Sequence, residues 1–256
     1  MKTRLQKWTG EYGLFLIVLI LLIGIWEWVV RKGMIPAFIL PSPSAIWKSL
    51  VENRQLLFEV HLPATLKEVL IGFAISVLAG LLLGVGMHFF HVLEKVLYPF
   101  LVISQTVPLI ALSPIFIMWF GYSIWSKIAV TILTAFFPIV VSTYDGLKSG
   151  GNEYRELLLT MGAGRWTIFK KVQVPMALPA FFSGLKMSVV YCVVGATIGE
   201  WLGASVGLGY FSRRMSGSLK ADAVFAAIFL LSLLGIILFL LINLIEKQLL
   251  KNKFRN

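Results

Sequence analysis

Apolar residues gather into six runs, at about residues 13–30, 64–87, 97–120, 124–144, 180–201 and 223–245, with polar residues crowded between them. As helices rising about 1.5 Å per residue, each run can cross a hydrocarbon layer about 30 Å thick. The third and fourth are parted only by the turn Gly121-Tyr122-Ser123. No polar segment is long enough for a separate soluble domain, so the pattern predicts an all-α protein with one transmembrane domain over 1–256. Lys2, Arg4 and Lys7 precede the first run. That run is too long for a signal-peptide core, and Arg31-Lys32-Gly33-Met34 is a poor cleavage site, so a retained helix is expected.

Punctuation within the runs refines this picture. Ser42-Pro43 reads as a helix cap with proline at the first helical position, opening a short interfacial helix through Ile46, Trp47, Leu50 and Val51. Pro99, Pro108 and Pro114 break the backbone ladder of the third run. Two readings fit them: a kink that serves packing, or an interrupted helix lining a substrate path. Gly80 and Gly84, then Gly195, Gly199, Gly203 and Gly207, recur every fourth residue and mark faces where backbones approach closely.

Composition agrees with membrane burial. Hydrophobic residues make up 58% of the 256 and charged residues only 14%, against about 25% charged in soluble domains. The net charge of +11 would suggest nucleic acid on a soluble chain. Here the basic residues flank apolar runs, as cytoplasmic loops do. With both termini inside, 13 Lys and Arg fall on the inner side and 7 on the outer, so cytoplasmic termini are expected. The single cysteine, Cys192, lies inside an apolar run and reads as packing.

Charged residues in or beside spans are Glu27, Lys127, Lys186 and Glu200. Intramembrane charge is costly and marks functional candidates. Lys127, Glu200 and Glu27 are placed near outer ends, where they could stay wet, and Lys186 within reach of the inner headgroups. Gln105, Pro108, Trp119 and Glu200 are the candidates for a translocation path, with Trp125 a further aromatic. His88, His91 and Glu94 lack the pattern of a metal site. No clustered nucleophile, base or metal set points to catalysis. The chain contains no Gly-Lys pair, so it lacks the phosphate loop that ATP hydrolysis requires. No cofactor is therefore expected on this chain.

The inner loop, about 145–179, is the most charged of the chain, with Glu153, Arg155, Glu156, Arg165, Lys170 and Lys171. Leu157, Leu158, Leu159, Met161, Trp166, Ile168 and Phe169 give it apolar faces as well, and Gly162-Ala163-Gly164 divides it. It reads as an amphipathic helix-turn-helix, fit either to dock a cytosolic partner or to lie on the bilayer.

Glu156-Leu157-Leu158-Leu159-Thr160-Met161-Gly162, nine residues, then Val172-Gln173-Val174-Pro175 resembles the loop of binding-protein-dependent ABC permeases. That family's pattern is Glu-Ala-Ala, three residues, Gly, nine residues, Ile-x-Leu-Pro. Glu156, Gly162 and Pro175 match; Leu157 and Leu158 replace the alanines. Leu40-Pro41-Ser42-Pro43, Val107 to Pro114, Trp119-Phe120-Gly121-Tyr122, Glu200 to Ala204 and Gly207-Leu208-Gly209 resemble one subgroup. It comprises the nitrate, sulfonate and taurine permeases with those for thiamine-precursor pyrimidines and riboflavin. The resemblance spans about 38–245. It implies an ABC importer permease fold, a cell-membrane location and two permease copies around a central path. It implies an external substrate-binding protein and a cytoplasmic ATPase pair that uses the ATP. Glu153, Glu156, Gly162, Ala163, Arg165 and Pro175 would form the ATPase-coupling element. Gln105-Thr106-Val107-Pro108 and Phe136-Phe137-Pro138-Ile139, with Asp145-Gly146, look closer to the thiamine-precursor and riboflavin permeases than to the sulfonate, taurine and nitrate ones. An ion-coupled secondary transporter is the rival from another class; it would usually carry an internal repeat, and the sequence shows no convincing one.

Overall fold

The computed structural model describes residues 2–149 and 152–253, with side chains over 13–149 and 154–251. Helices α1 (Lys2–Arg31), α3 (Leu62–Phe89), α6 (Ile124–Ser149), α9 (Val174–Gly203) and α11 (Ala221–Lys253) carry the five unbroken apolar spans. Short helices α2 (Pro43–Glu52), α7 (Asn152–Thr160), α8 (Arg165–Ile168) and α10 (Leu208–Gly217) connect them, and α4 (His91–Ser104) and α5 (Leu109–Phe120) meet at a 104° bend. Of the two readings of the third run, the bend is the interrupted helix and not a packing kink. Pro108 stands before the first turn of α5 in an extended conformation (φ −65°, ψ 112°), so the helix cannot run through it. Pro99 and Pro114 are accommodated inside helices. One wide π-helical stretch, Leu56–His61, leads into α3, and another, Phe169–Gln173, leads into α9.

The centre of the fold is α6, held between α3 and α9. Its neighbours present small residues where it passes: a methyl group at Gly80 would meet Ile139, at Gly84 Thr143, at Gly184 Ser142 and the Pro138 carbonyl, and at Gly195 Thr134. Notches of this kind bring backbones together, which is how helices associate where lipid removes the hydrophobic drive. Ser188 Oγ adds a direct bond to the Ala135 carbonyl at 2.6 Å. A second core joins α2, α3, α9, α10 and α11 through Leu50, Val69, Val189, Phe211, Ala226 and Leu230.

Ser42 caps α2 by accepting from Ala45 N at 3.2 Å, with Pro43 first in the helix. The apolar face of α2 is divided: Trp47 is exposed while Leu50 is buried in the core. Glu27 ties α1 to it, accepting from Ser44 N at 3.0 Å and Ser44 Oγ at 2.6 Å. Lys186 does not reach out to the headgroups; it pairs with Glu246 of α11 at 2.8 Å.

Candidate functional sites: a buried polar elbow and a docked hairpin

Residues Ala204–Gly207 turn the chain from α9 into α10. Gly207 sits at φ +120°, a backbone region that side-chain-bearing residues rarely adopt, and a methyl group there would overlap the Glu200 carboxylate. That carboxylate is the centre of the elbow. It accepts from Thr65 Oγ1 at 2.6 Å and from Gly209 N at the start of α10. A carboxylate there satisfies backbone N–H groups that have no partner within the helix. Thr65 Oγ1 in turn accepts from Leu208 N at 2.9 Å, and His61 Nδ1 from Gly207 N at 3.0 Å. Three hydrogen bonds thus fasten the start of α10 to α9, α3 and the π-helical stretch before α3, and the Thr65–Glu200 bond ties α3 to α9.

Beside Glu200 stands Glu68, whose Oε1 lies 3.6 Å from Lys127 Nζ at the start of α6. Its other oxygen, Oε2, is buried without a hydrogen-bond partner among the described residues. Relative exposure is 0% for Glu200, 2% for Glu68 and 6% for Lys127. The sequence reading placed Lys127 and Glu200 at wet span ends and set Glu200 on a substrate path. The structure corrects the first: each is sealed among the described residues by α3, α6, α9 and α10. Glu68 was missed altogether. The signal was available, because Thr65, Glu68, Gly72, Ser76, Gly80 and Gly84 repeat every three or four residues along one face of α3. That polar and small stripe is the face packed on α6.

Gln105 and Pro108 lie together at the α4–α5 bend, and Trp119 sits about 16 Å further along α5. Gln105 and Trp119 are exposed, as are Ile110 and Met118. These helices offer an apolar face to a neighbour or to lipid, and Glu200 is not part of it.

At the other end of α6 and α9, α7, the turn 161–164 and α8 form the hairpin read from the loop. Gly162 takes φ +79°, and the N–H groups of Gly162 and Ala163 close the helix end on the Leu159 and Leu158 carbonyls at 3.0 and 2.9 Å. Glu156 and Leu157 are exposed along α7 and Met161 in the turn after it; Glu153 is in the same helix, its side chain outside the described residues. Pro175 stands where the π-helical stretch passes into α9, and the wider turn there accommodates its ring and its missing N–H. The hairpin is fastened to α3 by aromatic packing. Phe169 lies 4.8 Å from Phe89 and stacks on Trp166 at 5.4 Å between ring centres, and His88 Nε2 meets Gln173 Oε1 at 3.2 Å. Between hairpin and bundle is a cleft of about 560 Å³, to which Arg155 and Arg165 contribute.

Long apolar helices, a broken span and an amphipathic hairpin docked on the bundle define a polytopic membrane subunit of permease type. The chain belongs to the family of binding-protein-dependent transport system inner membrane components, whose pattern matches residues 76–251; it is an ABC importer permease rather than an enzyme. It is 51% identical to the formylaminopyrimidine transport permease protein ThiX of Halalkalibacterium halodurans, over 90% of this chain and 92% of that one. It is 34% identical to the riboflavin transport system permease protein RibX of Chloroflexus aurantiacus, over 92% and 88%. Its fold superposes on a chain from the inward-facing MetNI methionine ABC transporter with a TM-score of 0.64 at 20% identity, covering 78% of this chain and 97% of the other.

Proposed function

We propose that this permease carries a thiamine-precursor pyrimidine, formylaminopyrimidine or a close analogue, into the cell in an ATP-driven importer. The observation that carries this reading is the 51% identity to a formylaminopyrimidine permease across nine-tenths of both chains. In this scheme two copies of the chain enclose the path, with Gln105, Pro108 and Trp119 near it. An external binding protein delivers the substrate. Both termini and the hairpin face the cytoplasm, where each hairpin docks on one subunit of an ATPase pair. Glu153, Glu156, Gly162 and Ala163 supply the face offered to the ATPase, Arg165 backs that element from the cleft side, and Pro175 fixes its return into α9. ATP is bound and hydrolysed by the partner, and this chain needs no cofactor.

The test is uptake of labelled formylaminopyrimidine, hydroxymethylpyrimidine and riboflavin into cells with the gene, without it, and with Glu156→Lys. Loss of pyrimidine uptake on deletion supports the substrate. Loss of riboflavin uptake alone moves the assignment to the flavin. Unchanged uptake of all three removes both and directs the search to sulfonates, taurine and nitrate. Full uptake by Glu156→Lys removes the docking role of that residue.

A further inference from the structure

We propose that the cleft behind the hairpin is a binding site for a phosphate-bearing anion, held by Arg155 and Arg165. The cleft is bounded by the C-terminal end of α3, the start of α4, the end of α6 and both arms of the hairpin. Among the described residues its only lining acid is Glu94, and that carboxylate is already engaged: Lys148 Nζ lies 2.8 Å from one oxygen and His91 Nδ1 2.7 Å from the other. Lys148 also donates to Tyr144 Oη at 2.8 Å. Two guanidinium groups from two different helices therefore line one cavity, and neither has an ion-pair partner among the described residues.

A guanidinium fork matches the oxygens of a phosphate or a carboxylate bidentately, and two forks on one cavity suit the larger number of acceptor oxygens that a phosphate group carries. A volume of about 560 Å³ exceeds a phosphate group and suits a phosphodiester with its glycerol. The location favours the lipid source. α3 ends at Phe89 and α6 at Ser149, so the cleft lies where apolar spans give way to polar chain, at headgroup depth. Trp166, exposed on one side and stacked on Phe169, sits at the same level with Lys170 Nζ 4.9 Å from its ring centre, a pairing suited to the interface. On the cytoplasmic side the leaflet carries anionic lipid. That last step rests on the proposed orientation of the loop; the binding test does not, because detergent-solubilised protein has no sides.

The experiment is native mass spectrometry of the solubilised full-length permease, purified with its partners, after titration with phosphatidylglycerol, phosphatidylcholine or inorganic phosphate. Phosphatidylglycerol is expected to bind, and Arg155→Gln with Arg165→Gln to weaken it at least tenfold, since each charge-assisted hydrogen bond removed is worth about a factor of ten. Arg213→Gln, which is remote from the cleft, is expected to leave binding unchanged. Should the double variant melt early, Arg155→Lys with Arg165→Lys takes its place, keeping charge without the fork, and a smaller fall is expected. Binding of phosphatidylglycerol that inorganic phosphate does not displace assigns the headgroup. Binding of inorganic phosphate alone, abolished in the same variants, assigns a free phosphate. Equal lipid and phosphate binding by wild type and variants overturns the site, and does so whether or not the chain moves pyrimidines.

Discussion

Glu200→Ala separates a structural elbow from a substrate contact. Removing the carboxylate leaves Gly209 N–H with no acceptor in a sealed site, since Thr65 Oγ1 is already bonded by Leu208 N. A buried donor left unmade costs about 1–3 kcal/mol. Four heavy atoms vanish from a position with 0% exposure, leaving a void of roughly 60 Å³, which at roughly 24 cal/mol per Å³ adds about 1.5 kcal/mol. The Thr65 hydroxyl recovers part of its deficit on the His61 carbonyl, 3.2 Å away. Relief of repulsion with Glu68 offsets a further part. The net is about 2–4 kcal/mol, and at about 2–4 °C per kcal/mol for a chain of this size the melting midpoint should fall about 5–15 °C. Glu200→Gln keeps one acceptor and should fall by about half as much. The assay is thermal unfolding of the detergent-solubilised protein by size-exclusion fluorescence, paired with uptake at a temperature where each variant stays folded. An unchanged midpoint with uptake abolished would refute the elbow argument and return Glu200 to the translocation path.

Lys127→Met strands Glu68 in the interior without its cation, a change that costs about 3–5 kcal/mol for a buried pair; adding Glu68→Gln should restore most of the midpoint, and no restoration would show that the pair is not coupled. Gly184→Leu forces a side chain into Ser142 and the Pro138 carbonyl, and overpacking of this kind costs about 1–3 kcal/mol or more; the yield of monodisperse protein should drop, while Gly13→Leu, with open space around it, should leave it unchanged. Gly162→Ala retains a positive φ that costs about 1–2 kcal/mol for a residue with a side chain, so uptake should fall with the bundle's midpoint unmoved, because the turn is exposed. Glu156→Lys should insert normally and abolish partner-dependent ATPase stimulation, measured in reconstituted vesicles.

The helical class and most helix positions were legible because a bilayer imposes long apolar runs that no soluble core requires. The hairpin was legible for a related reason: Gly162 is followed by a second amphipathic stretch, and only a turn explains that order. Polar partnership was much less so. Glu68, Lys127, Thr65 and Glu200 are separated by up to 135 positions, and nothing local says that Thr65 meets Glu200 rather than lipid. The wet-end reading of Lys127 and Glu200 failed because span position along the chain fixes depth but not which face is covered. α10 covers that face, and at ten residues it is too short and too polar to register as part of the bundle. The 104° bend was half visible: Pro108 says that the helix stops, while the direction of restart depends on packing against α6 and α9.

Both candidate sites hang on the same two helices. α6 runs from Lys127 in the polar elbow to Lys148 in the cleft, and α9, about 45 Å over its 30 residues, runs from just after Gln173 beside the hairpin to the elbow that holds Glu200. Between these ends the two are locked at Gly184, Gly195 and Gly199, where no side chain separates α9 from α6. Close-packed interiors have low compressibility and transmit strain. A pull on the hairpin therefore cannot be absorbed by sliding α9 along α6, since any shift of one residue would drive a notch onto a side chain. The pair moves as a unit, and the elbow moves with it. Compliance is left to elements outside the notched pair, the α4–α5 bend and α1, which touches the bundle mainly through Glu27 and Trp26. Rigid-body switching requires this division between a stiff lever and a soft surround. It follows that cross-linking α6 to α9 near Gly184 should leave transport intact, whereas cross-linking α5 to α6 should stop it.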